Sequence, residues 1–205
     1  SAKGIDPSRI ESSWPQAQFN AEIHVTAHED KTLKGSVSVD NSKPGPFDEN
    51  YLPIHSVKAK IAGNVDNVLI DDVLLDMGKA GQFAGNGQFS TEKTEVTLKT
   101  SRFDLHEIYS SIRPTHVAGK IAFVDEDKKQ LFLIQLEEAR IRLNARVTKV
   151  EDLMTLEEVS LKADQSEMRM SGKLDLKEPQ DFEFKGKVSR FNFAAFGRFP
   201  QSDLN

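Results

Sequence analysis

His24 and His28 have the spacing at which two imidazoles on one helical face bind a single zinc ion. Their neighbours Ile23, Val25 and Thr26 favour a β-strand instead. Because four residues of a strand span about 13 Å, the two rings would be too far apart to share one ion. The sequence therefore predicts no metal site at this pair.

Asp71, Asp72 and Asp76 are close in the chain, and such carboxylates can hold a cation or act as an acid and a base. No glycine-bearing calcium loop accompanies them, so we interpret them as solvated polar positions. Elsewhere the chain carries no G-x-S-x-G elbow, no phosphate-binding glycine loop and no recognisable pair of nucleophile and base. The sequence predicts neither an enzyme nor a bound cofactor.

Four basic residues could contact phosphate head groups or the acidic edge of a partner protein. They lie opposite the apolar positions of one predicted strand and are Arg140, Arg142, Arg146 and Lys149. The acidic neighbours Glu137 and Glu138 weaken the positive field that this stripe would produce. We favour the interpretation that the stripe is the solvated outer face of a sheet.

The composition excludes several classes of protein. The chain has 205 residues, a net charge of −5 and no cysteine, and 38% of its residues are hydrophobic. Nucleic acid is bound by basic surfaces, so an acidic chain argues against it as a partner. No run approaches the roughly 18 to 20 apolar residues of a membrane-spanning helix. No signal peptide is recognisable, so we expect whatever delivers or anchors this region to lie outside it.

Apolar and polar residues alternate along much of the chain, which places the apolar side chains on one face of a β-strand. The alternation is clearest at residues 23–27, 57–61, 141–147, 159–163, 168–176 and 182–188. Turn-forming residues separate the strands at 41–47, 125–129 and 178–181. The pattern predicts an all-β fold of about fourteen mostly antiparallel strands, in an elongated sheet with one apolar face.

Glycine recurs on the apolar side of the predicted strands. The pattern apolar-x-Gly-x-apolar occurs at Gly35, Gly119, Gly172 and Gly186. Gly85 and Gly87 are a related case, although Asn86-Gly87 is also a typical hairpin turn. A glycine inside a strand marks a bend or the close approach of another group. The glycines therefore predict curvature, and they are also compatible with a roomy apolar concave face.

Short helical turns are predicted at three places, where Asp6, Asp104 and Asn192 are suitable N-caps. A proline follows each turn, at Pro15, Pro114 and Pro200. The corresponding units begin near Ile5, Phe103 and Phe191, which are 98 and 88 residues apart. The stretches WPQAQFN at 14–20 and FPQSDLN at 199–205 are also similar. We therefore expect residues 1–205 to be a single segment of a longer array of β units.

One segment carries a resemblance to a known family. SVSVDNSKPGPFDENYLPI, at 36–54, resembles the N-x-x-P-G-x-x-D-x-x-x-L-P hallmark of the TamB family. GQFAGNGQFS at 81–90, Phe103-Asp104-Leu105 and FNFAAFGRFPQSDLN at 191–205 resemble other parts of the same family. The resemblance covers essentially the whole chain, as an interior segment of a larger protein that belongs to the translocation and assembly module of Gram-negative bacteria.

The resemblance implies a fold, a location and partners. The fold would be a curled sheet, or β-taco, with an apolar interior, as in AsmA-like and bridge-like lipid-transfer proteins. The parent protein would be anchored in the inner membrane and cross the periplasm. Its partners would be phospholipid acyl chains, the outer-membrane subunit TamA for the full-length protein, and outer-membrane protein clients. The family's membrane anchor and its TamA-docking region have no counterpart in these 205 residues.

A lipid groove would be lined by residues on the apolar side of the predicted strands. We expect it to include Val37, Ile61, Phe89, Ile121, Ile141, Leu143, Val147, Leu161, Met170, Leu174, Phe182, Phe184 and Val188. Such a mixed aliphatic and aromatic lining would hold acyl chains without selecting their length. The alternative is a closed β-sandwich or β-solenoid with a dry core, which would act as a structural or adhesive module.

Overall fold

Thirteen antiparallel strands form one sheet in the computed structural model, which describes residues 1–12, 14–64, 66–177, 181–190, 192, 194 and 196–199. The strands are β1 (Ala2–Ile5), β2 (Phe19–Ala27), β3 (Leu33–Asn41), β4 (Ser56–Gly63), β5 (Asn67–Asp76), β6 (Gln82–Ser90), β7 (Lys93–Phe103), β8 (Val117–Glu126), β9 (Lys129–Glu138), β10 (Ile141–Val150), β11 (Leu153–Ala163), β12 (Ser166–Asp175) and β13 (Phe182–Ser189). Their order in the sheet is their order in the chain. The sheet is curled and unclosed.

This architecture confirms the predicted fold class, an all-β, curled antiparallel sheet with an apolar concave groove and a few short helical turns. About fourteen strands were expected, and the described residues form thirteen. The alternative of a closed β-sandwich or β-solenoid is wrong as a fold, because every described strand belongs to one open sheet. The hairpin turn considered at Asn86-Gly87 is also wrong, since both residues lie inside β6.

The register keeps one set of side chains on the same face from strand to strand. Leu98 of β7 lies opposite Ile121 of β8, which lies opposite Ile134 of β9. Residues two apart along each strand share that face, as the alternation predicted. We call this apolar side the concave face and the opposite side, which carries most of the charged residues, the convex face. Bulges or irregularities between Ile70 and Val73 and at five other ladders shift the register and increase the local twist.

The two long edges of the sheet differ in their connections. We call the edge that carries the turns at 28–32, 91–92, 127–128 and 151–152 the hairpin rim. The opposite edge is the connector rim, where the longer connections lie. It carries four 3-10 helices, Pro7–Arg9, Phe47–Glu49, Gly78–Ala80 and Leu105–Glu107.

The predicted caps lie on the connector rim. The Asp6 carboxylate accepts hydrogen bonds from the Ser8 and Ala17 amides, and Asp104 accepts them from the His106 and Thr115 amides. Each carboxylate thus accepts from the amide two residues further along the chain and from the amide eleven residues further along. The Asn192 side chain accepts a bond from the Ala194 amide. The other predicted parts of that third unit, Phe191, Phe193 and Pro200–Asn205, lie outside the described residues, as do residues 178–180.

The connections of the connector rim are tied to one another. Gln16 forms a parallel bridge with Tyr51, the Phe47 amide donates to the Ile108 carbonyl at 2.9 Å, and Ile112 forms an antiparallel bridge with Gly197. Two polar residues of the segment 36–54 take part. The buried Asn41 side chain accepts from the Gln18 amide at 2.8 Å and donates to the Ile54 carbonyl at 2.9 Å. The Asp48 carboxylate accepts from the Ser110 amide and hydroxyl. These residues fasten neighbouring connections.

The buried core lies beneath the connector rim. Its fully packed members are Val73, Ala80, Phe83, Leu98, Phe103, Val117 and Leu136. The rings of Phe83 and Phe103 pack at 4.8 Å between centroids. Leu105 of the fourth 3-10 helix and Ile108, directly after that helix, cover the cluster. Burial of such side chains stabilises a fold by about 1.5 to 3 kcal/mol each. The sheet therefore obtains its core from one side of the concave face.

Candidate functional site

All thirteen predicted groove residues lie on the concave face. The register places Val37, Ile121, Leu143, Val147, Leu161, Met170 and Phe184 there, together with Ile61, Phe89, Ile141, Leu174, Phe182 and Val188. Phe182 and Phe89 are 67% and 53% exposed, whereas Ile141 is only 6% exposed. Ile141 therefore offers little surface to a ligand, while the aromatic residues offer much. Their role in binding lipid stays a prediction.

A continuous apolar row crosses the concave face from β2 to β13. Each member lies directly opposite the next, and the row consists of Val25, Gly35, Ile61, Ile70, Gly87, Val96, Phe123, Phe132, Val147, Leu156, Gly172 and Phe184. Every one of these positions is apolar or glycine. At strand spacings of about 4.8 Å the row is roughly 50 Å long. We call it the central row.

The middle of the concave face contains an apolar depression of about 250 Å³. It is lined by the concave-face residues Val96, Leu98, Ile121, Phe123, Phe132 and Ile134, and by Ala122 and Leu133, which alternate with them along β8 and β9. The rings of Phe123 and Phe132 lie 4.9 Å apart between centroids. Of these residues the sequence analysis named only Ile121. Phe132, Leu133 and Ile134 were missed because residues 131–134 are apolar on both faces of β9, which hides the period of two.

A polar border separates this depression from the hairpin rim. Asp125 of β8 lies opposite Gln130 of β9, which in turn lies opposite Lys149 of β10. The Gln130 amide nitrogen donates to the Asp125 carboxylate at 3.1 Å. All three side chains are half-buried. Lys149 was assigned from the sequence to the outer face, and this is wrong, because it lies two residues after Val147 and shares its concave side.

The glycines of the concave face allow neighbouring backbones to come close. A Cβ atom added to Gly35 would lie 2.1 Å from the His24 carbonyl oxygen, and one added to Gly119 would lie 1.9 Å from that of Gln135. At Gly172 the added atom would meet the ring of Phe184 at 2.3 Å. These contacts support the interpretation that the glycines permit curvature. The position above Gly172 is filled by an aromatic ring, so it is not a vacant part of the groove.

Arginine residues of the convex face have acidic partners. Arg142 pairs with Glu137 at 3.4 Å and Arg146 pairs with Glu157, while Arg140 lies in a turn, 3.8 Å from Asp164. Exposed pairs of this kind contribute little stability, about 0 to 1 kcal/mol. Their positive charge is locally balanced, as expected for a solvated outer face.

Two of the residues first considered for metal or acid–base chemistry, Asp72 and Asp76, have local partners. His24 lies in β2 and His28 in the turn after it. Asp72, at a bulge with a φ of 50°, pairs with Lys60 at 2.7 Å, and this hydrogen bond raises the pKa of Lys60. Asp76 accepts from the Gly78 amide. Within the described ranges, no group of three or more His, Asp or Glu has an arrangement suited to a metal ion.

In the described part of the chain, none of the helices has the length and apolar content needed to cross a membrane. No protein-family model, curated protein or solved structure matches the chain. Its function is therefore inferred from the geometry and chemistry of the concave face.

Proposed function

We propose that this chain is a segment of a lipid-conducting sheet, whose concave face shields the acyl chains of phospholipids from water. The central row is the observation that carries this proposal. It offers a hydrocarbon chain an uninterrupted apolar path across twelve strands. A path that crosses the strands runs along the length of the sheet, as a conduit must.

Exposed apolar surface supports the same proposal. Ile23, Phe89, Phe182 and Phe184 are 62%, 53%, 67% and 46% exposed, and all of them lie on the concave face. Large contiguous apolar surfaces are unusual on soluble proteins and mark sites of interaction. Covering such a surface releases about 25 cal/mol per Å² of apolar area. An acyl chain can supply that cover without specific hydrogen bonds.

The shape favours a conduit over a pocket for one ligand. The sheet is unclosed, and the apolar depression is shallow and continuous with the central row. Small-molecule sites instead enclose most of the ligand and place a few polar groups around it. A groove of this form accepts chains of different lengths, and a head group can stay in water beyond the rim.

The resemblance to the TamB family suggests where this activity takes place. We propose that the parent protein crosses the periplasm of a Gram-negative bacterium and carries phospholipid between the inner and outer membranes. By the same resemblance it would support outer-membrane protein assembly, with TamA as the partner of the full-length protein. The support for this location and these partners is the motif at 36–54.

Photo-crosslinking tests the proposed function. A photoreactive amino acid is placed at Leu143, Met170 or Phe184 of the concave face, and the crosslinked lipid is identified by mass spectrometry. Matched controls carry it one residue earlier or later, on the convex face, at Arg142, Arg169 and Lys185. We expect phospholipid adducts at the three concave positions and few at the controls. Equal labelling of both faces, or no lipid adduct on either, would overturn the proposal.

A further inference from the structure

The polar border beside the depression has the chemistry of a head-group site. Asp125, Gln130 and Lys149 lie on consecutive strands at one register level, with directly opposite Cα atoms about 5 Å apart. The next level on each strand is apolar, with Phe123, Phe132 and Val147. The concave face therefore changes from apolar to polar between residues that are two apart on the same strand.

The border leaves hydrogen-bonding groups available. Gln130 donates to one carboxylate oxygen of Asp125, so the second oxygen and the Gln130 carbonyl can still accept hydrogen bonds. Among the described residues, neither Asp125 nor Lys149 forms an ion pair within 4.0 Å. The opposite charges are two strands apart, or about 10 Å between Cα atoms. A ligand with separated charges can thus bridge them.

We propose that this border recognises phospholipids whose head group combines a phosphate with a primary ammonium, as in phosphatidylethanolamine. Lys149 binds the phosphate, and the oxygens of Asp125 and Gln130 accept hydrogen bonds from the ammonium. The acyl chains lie on Phe123, Phe132 and Val147 and extend into the depression. This inference rests on the proposed function, since it names the lipid class that the same groove holds best.

The charges of the border explain the expected preference. An anionic head group without an amine, such as that of phosphatidylglycerol, offers Asp125 hydroxyl donors but no cation, and its phosphate charge is not balanced within the head group. A quaternary ammonium lacks the N–H donors that the two oxygens accept. Every phospholipid presents a phosphate to Lys149, so Lys149 contributes to binding strength and Asp125 to selectivity. Charge-assisted hydrogen bonds are roughly twice as strong as neutral ones.

A competition experiment tests this preference. The purified protein is incubated with vesicles that contain equal parts of phosphatidylethanolamine, phosphatidylcholine and phosphatidylglycerol, all with deuterated acyl chains. The protein is then re-isolated, and its deuterated lipid is quantified by mass spectrometry. We expect the wild-type chain to retain about two- to fivefold more phosphatidylethanolamine than either competitor, the range for a partly exposed charged contact.

Three variants separate the roles of the border residues. Asp125→Asn should abolish the preference for phosphatidylethanolamine with little change in total lipid. Gln130→Glu should strengthen it, because a second carboxylate joins the site. Lys149→Gln should lower retention of all three lipids by about two- to fivefold. Glu126→Gln and Lys129→Gln, one residue away on the convex face of the same hairpin, are the matched controls and should behave like the wild type.

The outcomes distinguish this inference from the proposed function. Lipid uptake without a head-group preference, or a preference that survives Asp125→Asn and is unchanged in Gln130→Glu, would overturn the head-group site and leave the groove intact. No uptake of deuterated lipid would overturn both. Circular dichroism confirms that each variant keeps its β structure. Because Gln130→Glu and Asp125→Asn have opposite expected effects, a general loss of folding cannot imitate the expected pattern.

Discussion

Along the connector rim, connections from distant parts of the chain bind one another, whereas the bonds of the hairpin rim are mostly local. The Phe47 amide reaches the Ile108 carbonyl across 61 residues, and Ile112 bridges Gly197. At the hairpin rim, the Asp30 carboxylate accepts from the amide of Thr32, two residues away. The core cluster lies beneath the first rim, while the apolar depression borders this cluster on the side nearer the second rim.

Taken with the proposed function, this difference assigns stability and binding to different parts of one sheet. The part of the concave face that would hold a ligand cannot also be the main hydrophobic core. The protein places its buried residues beneath the covered rim and leaves the other rim with short turns. Regions with few buried contacts open at low free-energy cost, which suits the entry of a ligand. Substitutions in matched pairs, one on each side, test this division.

The largest expected effect is that of Phe103→Ala. The Phe103 ring is 4% exposed and packs against Phe83, so its removal leaves a cavity and should lower the free energy of unfolding by about 3 to 5 kcal/mol. The matched substitution Phe132→Ala removes a ring that is 39% exposed and should cost about 1 to 2 kcal/mol. Urea unfolding measures both values. Equal losses would contradict the division between the two sides.

The next effect is that of Gly119→Ala. Gly119 has a φ of 150°, and an added Cβ atom would lie 1.9 Å from the Gln135 carbonyl oxygen. The strand must shift or strain, at a cost of about 2 to 3 kcal/mol. Gly186→Ala is the control, because the added atom would meet its nearest neighbours at 3.2 and 3.3 Å. The control should lose less than about 1 kcal/mol in the same urea titration. A smaller loss at Gly119 than at Gly186 would mean that close backbone approach does not shape the sheet.

A smaller effect is expected for Asn41→Ala on the connector rim. The change removes the acceptor of the Gln18 and Lys43 amides and the donor to the Ile54 carbonyl. Leaving such groups unpaired should cost about 1 to 2 kcal/mol. Asn64→Ala is the counterpart on the hairpin rim, where an exposed side chain binds the Asp66 and Asn67 amides. We expect it to cost at most about 0.5 kcal/mol. The reverse order in thermal unfolding would contradict the greater importance of the connector rim.

The faces of the strands could be predicted where the alternation is strict. In 141–147 and 168–176 a polar residue follows almost every apolar one, so the concave positions of β10 and β12 followed directly. The same rule failed at 131–134, where Leu131 and Leu133 make the convex face apolar as well. A charged residue such as Lys149 suggests the outer face, but its position two residues after Val147 places it on the concave face.

The links between connections could not be predicted from the sequence. Whether Asp48 meets Ser110 depends on the curl of the strands between them and on the bulges that set their register. The caps at Asp6 and Asp104 could be predicted, because a cap depends on residues close in the chain. Hydrogen bonds between residues close in the chain could therefore be predicted, whereas the hydrogen bonds that join distant connections of the connector rim could not.

The smallest expected effect is a change in the pH dependence of stability. The hydrogen bond from the Ser110 hydroxyl lowers the pKa of Asp48 from its usual 3.8. The hydrogen bond from the Thr32 hydroxyl likewise lowers the pKa of Asp30. A carboxyl group with a lowered folded pKa stabilises the fold above its unfolded pKa, and this contribution is lost as the pH falls through the folded pKa. Asp48→Asn should therefore flatten the decline of the urea midpoint below pH 3.8. Asp30→Asn should flatten it less, because a bond between residues two apart partly persists in the unfolded chain. Equal flattening would show that the link between connections stabilises the sheet no more than a local turn does.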